Sequence, residues 1–326
     1  MASMTSEEAY KTHRVLIYSI VLIFEVFGLF GNVNLVFVIA RNKILQSKFG
    51  LILASLATFH TVCLLCELIN LGYGVAATFY SFHIFRSVCF HSTFPVILAH
   101  CLQTGTICVL SFDLFLSILT PIKYRRFDIS WYFPLLYFLP VCYGFGITLT
   151  AKILLDDKEI PMCNPPSSMV PSVSKWWYQL MFFFAFITIF FYSSAFGLLS
   201  WKVRHKSVDI HLIERRAMRT LQVLIVFFLL TRFISTGVAT MVTFLKVNSE
   251  YASLVQNYNV IPAMAAYSQN AYVCFFRSKE YRRLLTEQMA LYIPFVESSQ
   301  SLKQVERSTT KHFLNNCDTS RNSARF

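Results

Sequence analysis

One stretch constrains this chain more than any other. Residues 86–126 read RSVCFHSTFPVILAHCLQTGTICVLSFDLFLSILTPIKYRR. Between Arg86 and Asp113 there is no acidic residue and no Lys or Arg. The stretch then closes on Pro121, Lys123, Tyr124, Arg125 and Arg126. Wound as a helix from Cys89 to Tyr124, it would reach roughly 50 Å. A hydrocarbon core needs only about 20 apolar residues. The segment is therefore long enough to cross a bilayer with a cysteine beyond one face and a basic loop beyond the other.

The pattern repeats along the chain. Apolar runs occupy about 15–40, 49–73, 87–119, 131–151, 176–201, 218–245 and 252–276. Only 14% of the 326 residues are charged, against about 25% in a soluble protein. The expected fold is an all-α membrane protein, a seven-transmembrane helix bundle. A short amphipathic eighth helix is expected over 278–291. The expected domains are an outer tail at 1–14, the bundle at 15–277, that helix, and a Ser- and charge-rich disordered tail at 292–326.

Seven spans put the two ends on opposite sides, and Lys and Arg choose between the two arrangements. With the N-terminus outside, inner segments carry 21 of these residues and outer segments carry 7. Without the C-terminal tail the inner number falls to 12 and the sign holds. The net charge of +12 is thus topological, and nucleic acid is not an expected partner. No short apolar core with a small-residue cleavage site precedes the first run, so that run is expected to act as its own signal-anchor. Of nine cysteines, Cys89 and Cys163 fall in segments expected to face outward, which makes them the candidate disulfide pair. The CxxC at Cys63 and Cys66 lies inside an apolar run, where packing is the expected role. No inter-span loop is long enough for an enzyme domain, and there is no nucleotide-binding Gly-rich loop or HExxH. Neither catalysis, cofactor nor metal is expected.

The landmarks resemble the rhodopsin-like seven-transmembrane G-protein-coupled receptors, and more closely the nematode serpentine chemoreceptors of the Srsx class. Gly31-Asn32 is similar to the family's Gly-Asn pair in span 1, and Leu56-Ala57 to its Leu-Ala pair in span 2. Cys89 precedes Asp113 by 24 residues, the spacing of the family's outer cysteine and Asp-Arg-Tyr motif. Pro121 follows that Asp by eight, as in the family. Cys163 is placed like the disulfide partner in the second outer loop. Asn270 opens Asn-Ala-Tyr-Val-Cys where the family has Asn-Pro-x-x-Tyr, and Tyr281 falls where an aromatic starts the eighth helix. The segments SFDLFLSILTPIKYR and NAYVCFFRSKEYRRLL resemble the Srsx class in particular. The departures are specific too. Leu114 stands for the Arg of Asp-Arg-Tyr, His60 for the span 2 acid that helps bind sodium, and Ala271 and Cys274 for the Pro and Tyr of span 7.

Ionisable and polar groups inside hydrocarbon are costly and turn toward the bundle interior. Glu67, His100, Gln103, Arg232 and Tyr267 are the candidate ligand-binding residues. Each has the alternative of a structural hydrogen bond or ion pair inside the bundle. Arg232, near the middle of span 6, is too deep to snorkel easily and could anchor an acidic or carbonyl-bearing ligand. His60 is expected to be a neutral, hydrogen-bonded histidine. Asp113, Pro121, Tyr124, Arg125 and Arg126 are the candidate G-protein-coupling residues. For Asp113 the alternative is a solvated carboxylate at the membrane edge. Trp176, Trp177 and Tyr178 are expected to be interfacial anchors. Glu25 in span 1 receives no assignment.

The resemblance implies a chemosensory receptor. It would bind a small molecule in the outer half of the bundle and signal to a heterotrimeric G protein. Membrane lipid is the other expected partner. The expected location is the plasma membrane with the N-terminus outside, and by the resemblance the sensory cilia of chemosensory neurons. The alternative is a seven-pass ligand-gated cation channel of the insect odorant-receptor kind, whose N-terminus lies inside. A transporter would be expected to show repeated halves, and none is visible.

Overall fold

The computed structural model describes residues 6–80, 82–160, 163–205 and 260–290, with Val223, Ile225, Val226, Phe227, Leu230, Thr231, Ile234, Val255, Tyr258 and Asn259 between them. The helices are α1 (Ser6–Arg41), α2 (Lys48–Phe79), α3 (Arg86–Leu119), α4 (Pro121–Arg126), α5 (Ile129–Ile153), α6 (Pro171–His205), α7 (Val260–Arg277) and α8 (Lys279–Ala290). Among the described residues, five helices are long and apolar enough to cross a membrane: α1, α2, α3, α5 and α6. The protein is an all-α, multi-pass membrane protein. Most of the sixth expected span, 218–245, lies outside the described residues. The seventh is described as α7, whose middle carries the buried polar residues Ser268, Gln269 and Asn270.

Two local features differ from the expected pattern. Helix α1 begins at Ser6, well before the apolar run, because residues such as Glu8, Ala9 and Lys11 are good helix formers and extend it. A two-residue antiparallel pairing also joins β1 (Ile84–Phe85) to β2 (Glu159–Ile160), in the register Ile84 to Ile160 and Phe85 to Glu159. Helix boundaries follow local chemistry. Ser47 caps α2 by accepting from the Gly50 amide at 3.2 Å, Asp128 caps α5 through the Ser130 amide at 3.2 Å, and Pro121 opens α4.

Helix α3 is the most enclosed of the five spans and packs against α2, α5 and α6. Helix α1 packs against α2 and α7. Helices α3 and α5 come close together at Gly105, where an added Cβ would lie 2.6 Å from Pro140 Cβ. The polarity is that of a membrane bundle. Phe27 and Phe30 on α1, Phe138 and Phe145 on α5, and Phe186 and Phe190 on α6 are exposed. Glu25, Asn32, His60, Glu67, His100, Gln103, Asp113 and Asn270 are buried. Lipid solvates the first set, and only protein can satisfy the second.

The chain divides into two compact units, with the boundary between Arg277 and Ser278. The second unit contains α8. Its buried residues Tyr281, Leu284, Leu285 and Gln288 follow the spacing of one helical face. Arg283 and Glu287 pair on its surface at 3.7 Å.

Candidate functional site

Three polar layers lie along the bundle. The first caps the end where α2 finishes and α3 begins. Cys89 and Cys163 form a disulfide with Cα atoms 5.5 Å apart, and both are buried with Ile84 and Ile160 beside Tyr73 and Ala77. The strand pairing and the bridge hold the α5–α6 loop against the end of α2 and the start of α3. Arg86 reinforces this. It forms an ion pair with Asp156, its side chain donates to the Ser167 carbonyl at 3.2 Å, and its amide donates to the Lys158 carbonyl at 2.8 Å. On the exposed rim His83 meets Glu159 at 2.6 Å. The hydrogen bond that the ring donates to Glu159, and the negative charge of that carboxylate, raise the imidazole pKa above the usual value.

Just beneath the bridge, Asn70 Oδ1 lies 3.8 Å from the Cys163 sulfur. The same amide donates to Glu67 Oε2 at 3.0 Å. Glu67 is thus held in the layer below the bridge.

The second layer is centred on His100 and Tyr267, joined at 2.5 Å between Nε2 and the phenol oxygen. Trp177 packs edge-on against His100 with centroids 5.6 Å apart. Tyr267 also contacts His60 at 5.5 Å, and its backbone carbonyl accepts from Asn32 at 2.8 Å. Asn270 Nδ2 donates to His60 Nδ1 at 2.7 Å and reaches Asn32 Oδ1 at 3.3 Å. An amide nitrogen only donates, so Nδ1 is the acceptor and a neutral His60 ring carries its proton on Nε2. Gln103 Oε1 lies 3.8 Å from the Cys63 thiol.

This layer is not fully satisfied. Among the described residues Gln103 Nε2, the Trp177 indole nitrogen and both carboxylate oxygens of Glu25 are buried without a hydrogen-bond partner. Such groups normally cost about 1–3 kcal/mol each. Trp177 is therefore no interfacial anchor: it is 2% exposed, whereas its neighbour Trp176 is 64% exposed. Helical periodicity turns one of two adjacent aromatics inward. Sequence reasoning also passed over Glu25, although a carboxylate inside an apolar run was the available signal.

Of the candidate ligand residues, the fold joins His100 to Tyr267 directly. It sets Gln103 one turn along α3 from His100, and places Glu67 in the layer above with Asn70. Arg232 lies outside the described residues.

The third layer is at the far end of α3. Asp113 is 4% exposed. It accepts from Tyr124 at 3.0 Å and from Tyr132 at 2.8 Å. The solvated carboxylate considered from sequence is thereby corrected: α4 and the start of α5 fold over it. The neighbouring cation is Lys48 of α2. Its ammonium donates to the Tyr124 carbonyl at 2.5 Å and stands 4.1 Å from the Tyr124 ring centre and 5.1 Å from that of Tyr132. Burial, with the Asp113 carboxylate beside it, pushes the Tyr124 hydroxyl far above its usual value, so it remains a donor. Pro121 begins the short helix that carries Tyr124 inward while Lys123, Arg125 and Arg126 face outward, exposed, with Ile122.

The family model described as serpentine type 7TM GPCR chemoreceptor Srsx matches residues 25–289. No curated protein sequence matches the chain.

Proposed function

Because the chain belongs to the Srsx family of serpentine seven-transmembrane GPCR chemoreceptors, we propose that it binds a small molecule in the outer half of its bundle and signals to a heterotrimeric G protein. The observation that carries this reading is the unsatisfied polar layer beneath the disulfide. Gln103 Nε2 and the Trp177 indole nitrogen are buried donors without partners among the described residues. Trp177 packs against His100 and Gln103 against Cys63 in the same region as the His100–Tyr267 pair. A pocket that is mostly apolar with a few convergent polar groups suits a small ligand. Glu67, His100, Gln103 and Tyr267 are the proposed contacts, with Arg232 on the sixth span.

The proposed topology places the N-terminus outside at the plasma membrane, in sensory cilia. Residues 1–14 form the outer tail, 15–277 the bundle, 278–291 the amphipathic helix and 292–326 the inner tail. At the inner end the exposed Arg125 and Arg126, beside Asp113, Pro121 and Tyr124, form the proposed coupling surface. Their positive charge also suits anionic lipid. The ligand acts by binding one arrangement of the bundle more tightly than the other.

A ligand screen in cells co-expressing a promiscuous G protein tests the proposal. His100→Ala and Gln103→Ala are expected to lose response at unchanged surface expression. Parent-like responses from both, and from Glu67→Ala and Tyr267→Phe as well, would place the ligand elsewhere.

A further inference from the structure

The register between α1 and α2 points to a second element of recognition. The two helices run antiparallel. Arg14 donates to Thr78 at 2.7 Å. A Cβ at Gly74 would touch the Tyr18 hydroxyl at 2.7 Å, and one at Gly28 would touch Leu64 Cδ1 at 2.7 Å. That register, 14 with 78, 18 with 74 and 28 with 64, sets position 25 opposite position 67. Both are glutamate. Each is at least nine-tenths buried, Glu25 at 1% and Glu67 at 9% exposure, and Glu67 lies close enough for its charge to act on Glu25.

Two opposed carboxylates in a low-dielectric interior are unfavourable without a counter-charge. Asn70 binds one oxygen of Glu67. Glu25 has no hydrogen-bond partner on either oxygen among the described residues. No salt bridge from Lys, Arg or His to either glutamate occurs among the described residues. The nearest basic side chain along α1, Arg14, lies about 16 Å away by helical rise and is bound to Thr78. Among the described residues Cys66 is a further titratable neighbour of the pair. One turn toward the other end, Gly28 closes the junction, since a Cβ there would meet Ser268 Oγ at 2.5 Å. The glutamates therefore sit on the disulfide side of the tight junction of α1, α2 and α7, toward the Asn70 contact beneath the bridge.

We propose that Glu25 and Glu67 together anchor the ammonium group of the ligand, so that this receptor's ligands are protonated amines. This rests on the chemoreceptor reading above. An ammonium nitrogen needs two or three acceptors, which the pair supplies as charge-assisted bonds. Its carbon skeleton matches the apolar core of this region, which includes Val21, Leu64 and Met264. A bare metal cation would instead demand about six oxygens.

The test uses the full-length receptor in lipid nanodiscs. The probes are a panel of primary to quaternary alkyl and aryl amines, their carboxylate counterparts, and sodium chloride against potassium chloride. Thermal stability is read against concentration. The expected result is that one or more amines stabilise the parent, carboxylates do not, and Glu25→Gln raises the half-saturating amine concentration about tenfold or more. Glu67→Gln provides a second variant with the Asn70 contact kept. No stabilisation by any amine, equal stabilisation of the Gln variants, or Glu25-dependent stabilisation by sodium alone would each overturn the proposal. Nucleotide exchange on a reconstituted G protein separates the two readings. If carboxylates or neutral odorants drive exchange and amines do not, the amine assignment fails and the receptor reading stands. If amines bind through Glu25 and no ligand drives exchange, the anchor stands and the signalling reading fails.

Discussion

Asp113 and Glu25 are both carboxylates buried in the bundle, and the fold treats them in opposite ways. Asp113 accepts from two tyrosine hydroxyls and lies beside the Lys48 ammonium. Glu25 has neither oxygen bonded among the described residues and faces a second glutamate. Near one end of the bundle, charge is closed off by the protein's own groups. Toward the disulfide end it is left open. A closed cluster favours one arrangement, because separating its members strands a buried charge. An open one gains most from something that arrives. The two ends are held by different means as well: a covalent bridge spans one, and hydrogen bonds clasp the other.

The largest effect should come from cutting the bridge. The linked cysteines are 74 residues apart, and closing a loop of that length is worth about 4 kcal/mol in the chain-entropy account. Cys89→Ser or Cys163→Ser is expected to abolish most surface expression. Disulfide-independent expression would remove the contrast between a stapled end and a clasped one.

Next in size is the clasp. Asp113→Ala leaves two inward hydroxyls without their acceptor and the Lys48 ammonium without its neighbouring negative charge, at a cost of about 3 kcal/mol. The melting temperature of the purified receptor should fall clearly. Tyr132→Phe removes one hydroxyl donor and should cost about 1 kcal/mol. If Tyr132→Phe matched Asp113→Ala, the cluster would depend on that single bond rather than on its closure.

The smallest effect belongs to the rim. Glu159 raises the pKa of His83 in the folded protein, so folding favours the protonated imidazole. The stabilisation is complete below the ordinary imidazole value of about 6.5. It fades as pH rises through the raised value. Comparing melting temperatures of the parent and His83→Ala should show a small gap in mild acid that closes in mild alkali. A gap that widened with pH would reverse the assignment.

The spans described here were legible because lipid imposes a simple demand: some twenty apolar residues, with backbone polar groups satisfied within the helix. What lies within that pattern was less so. Which of Trp176 and Trp177 turns inward depends on the rotation of α6, and neither an apolar run nor its length encodes rotation. The partners of Asp113 come from the start of α2, from α4 and from α5, three places that sequence spacing does not connect. The opposition of Glu25 and Glu67 follows from the register between α1 and α2, which is fixed by close approaches at Gly28 and Gly74 rather than by the glutamates themselves. Arg232 and most of the sixth span lie outside the described residues, and their place in the ligand layer remains a proposal from sequence.

The most direct test of the receptor account uses cells in which every heterotrimeric Gα subunit has been deleted. A stabilising compound from the nanodisc panel is applied to cells expressing the full chain, and the intracellular response is recorded before and after one Gα is restored. The account predicts silence without Gα and a response on restoration. A response that persists undiminished without any Gα would contradict it and favour an ion-conducting protein.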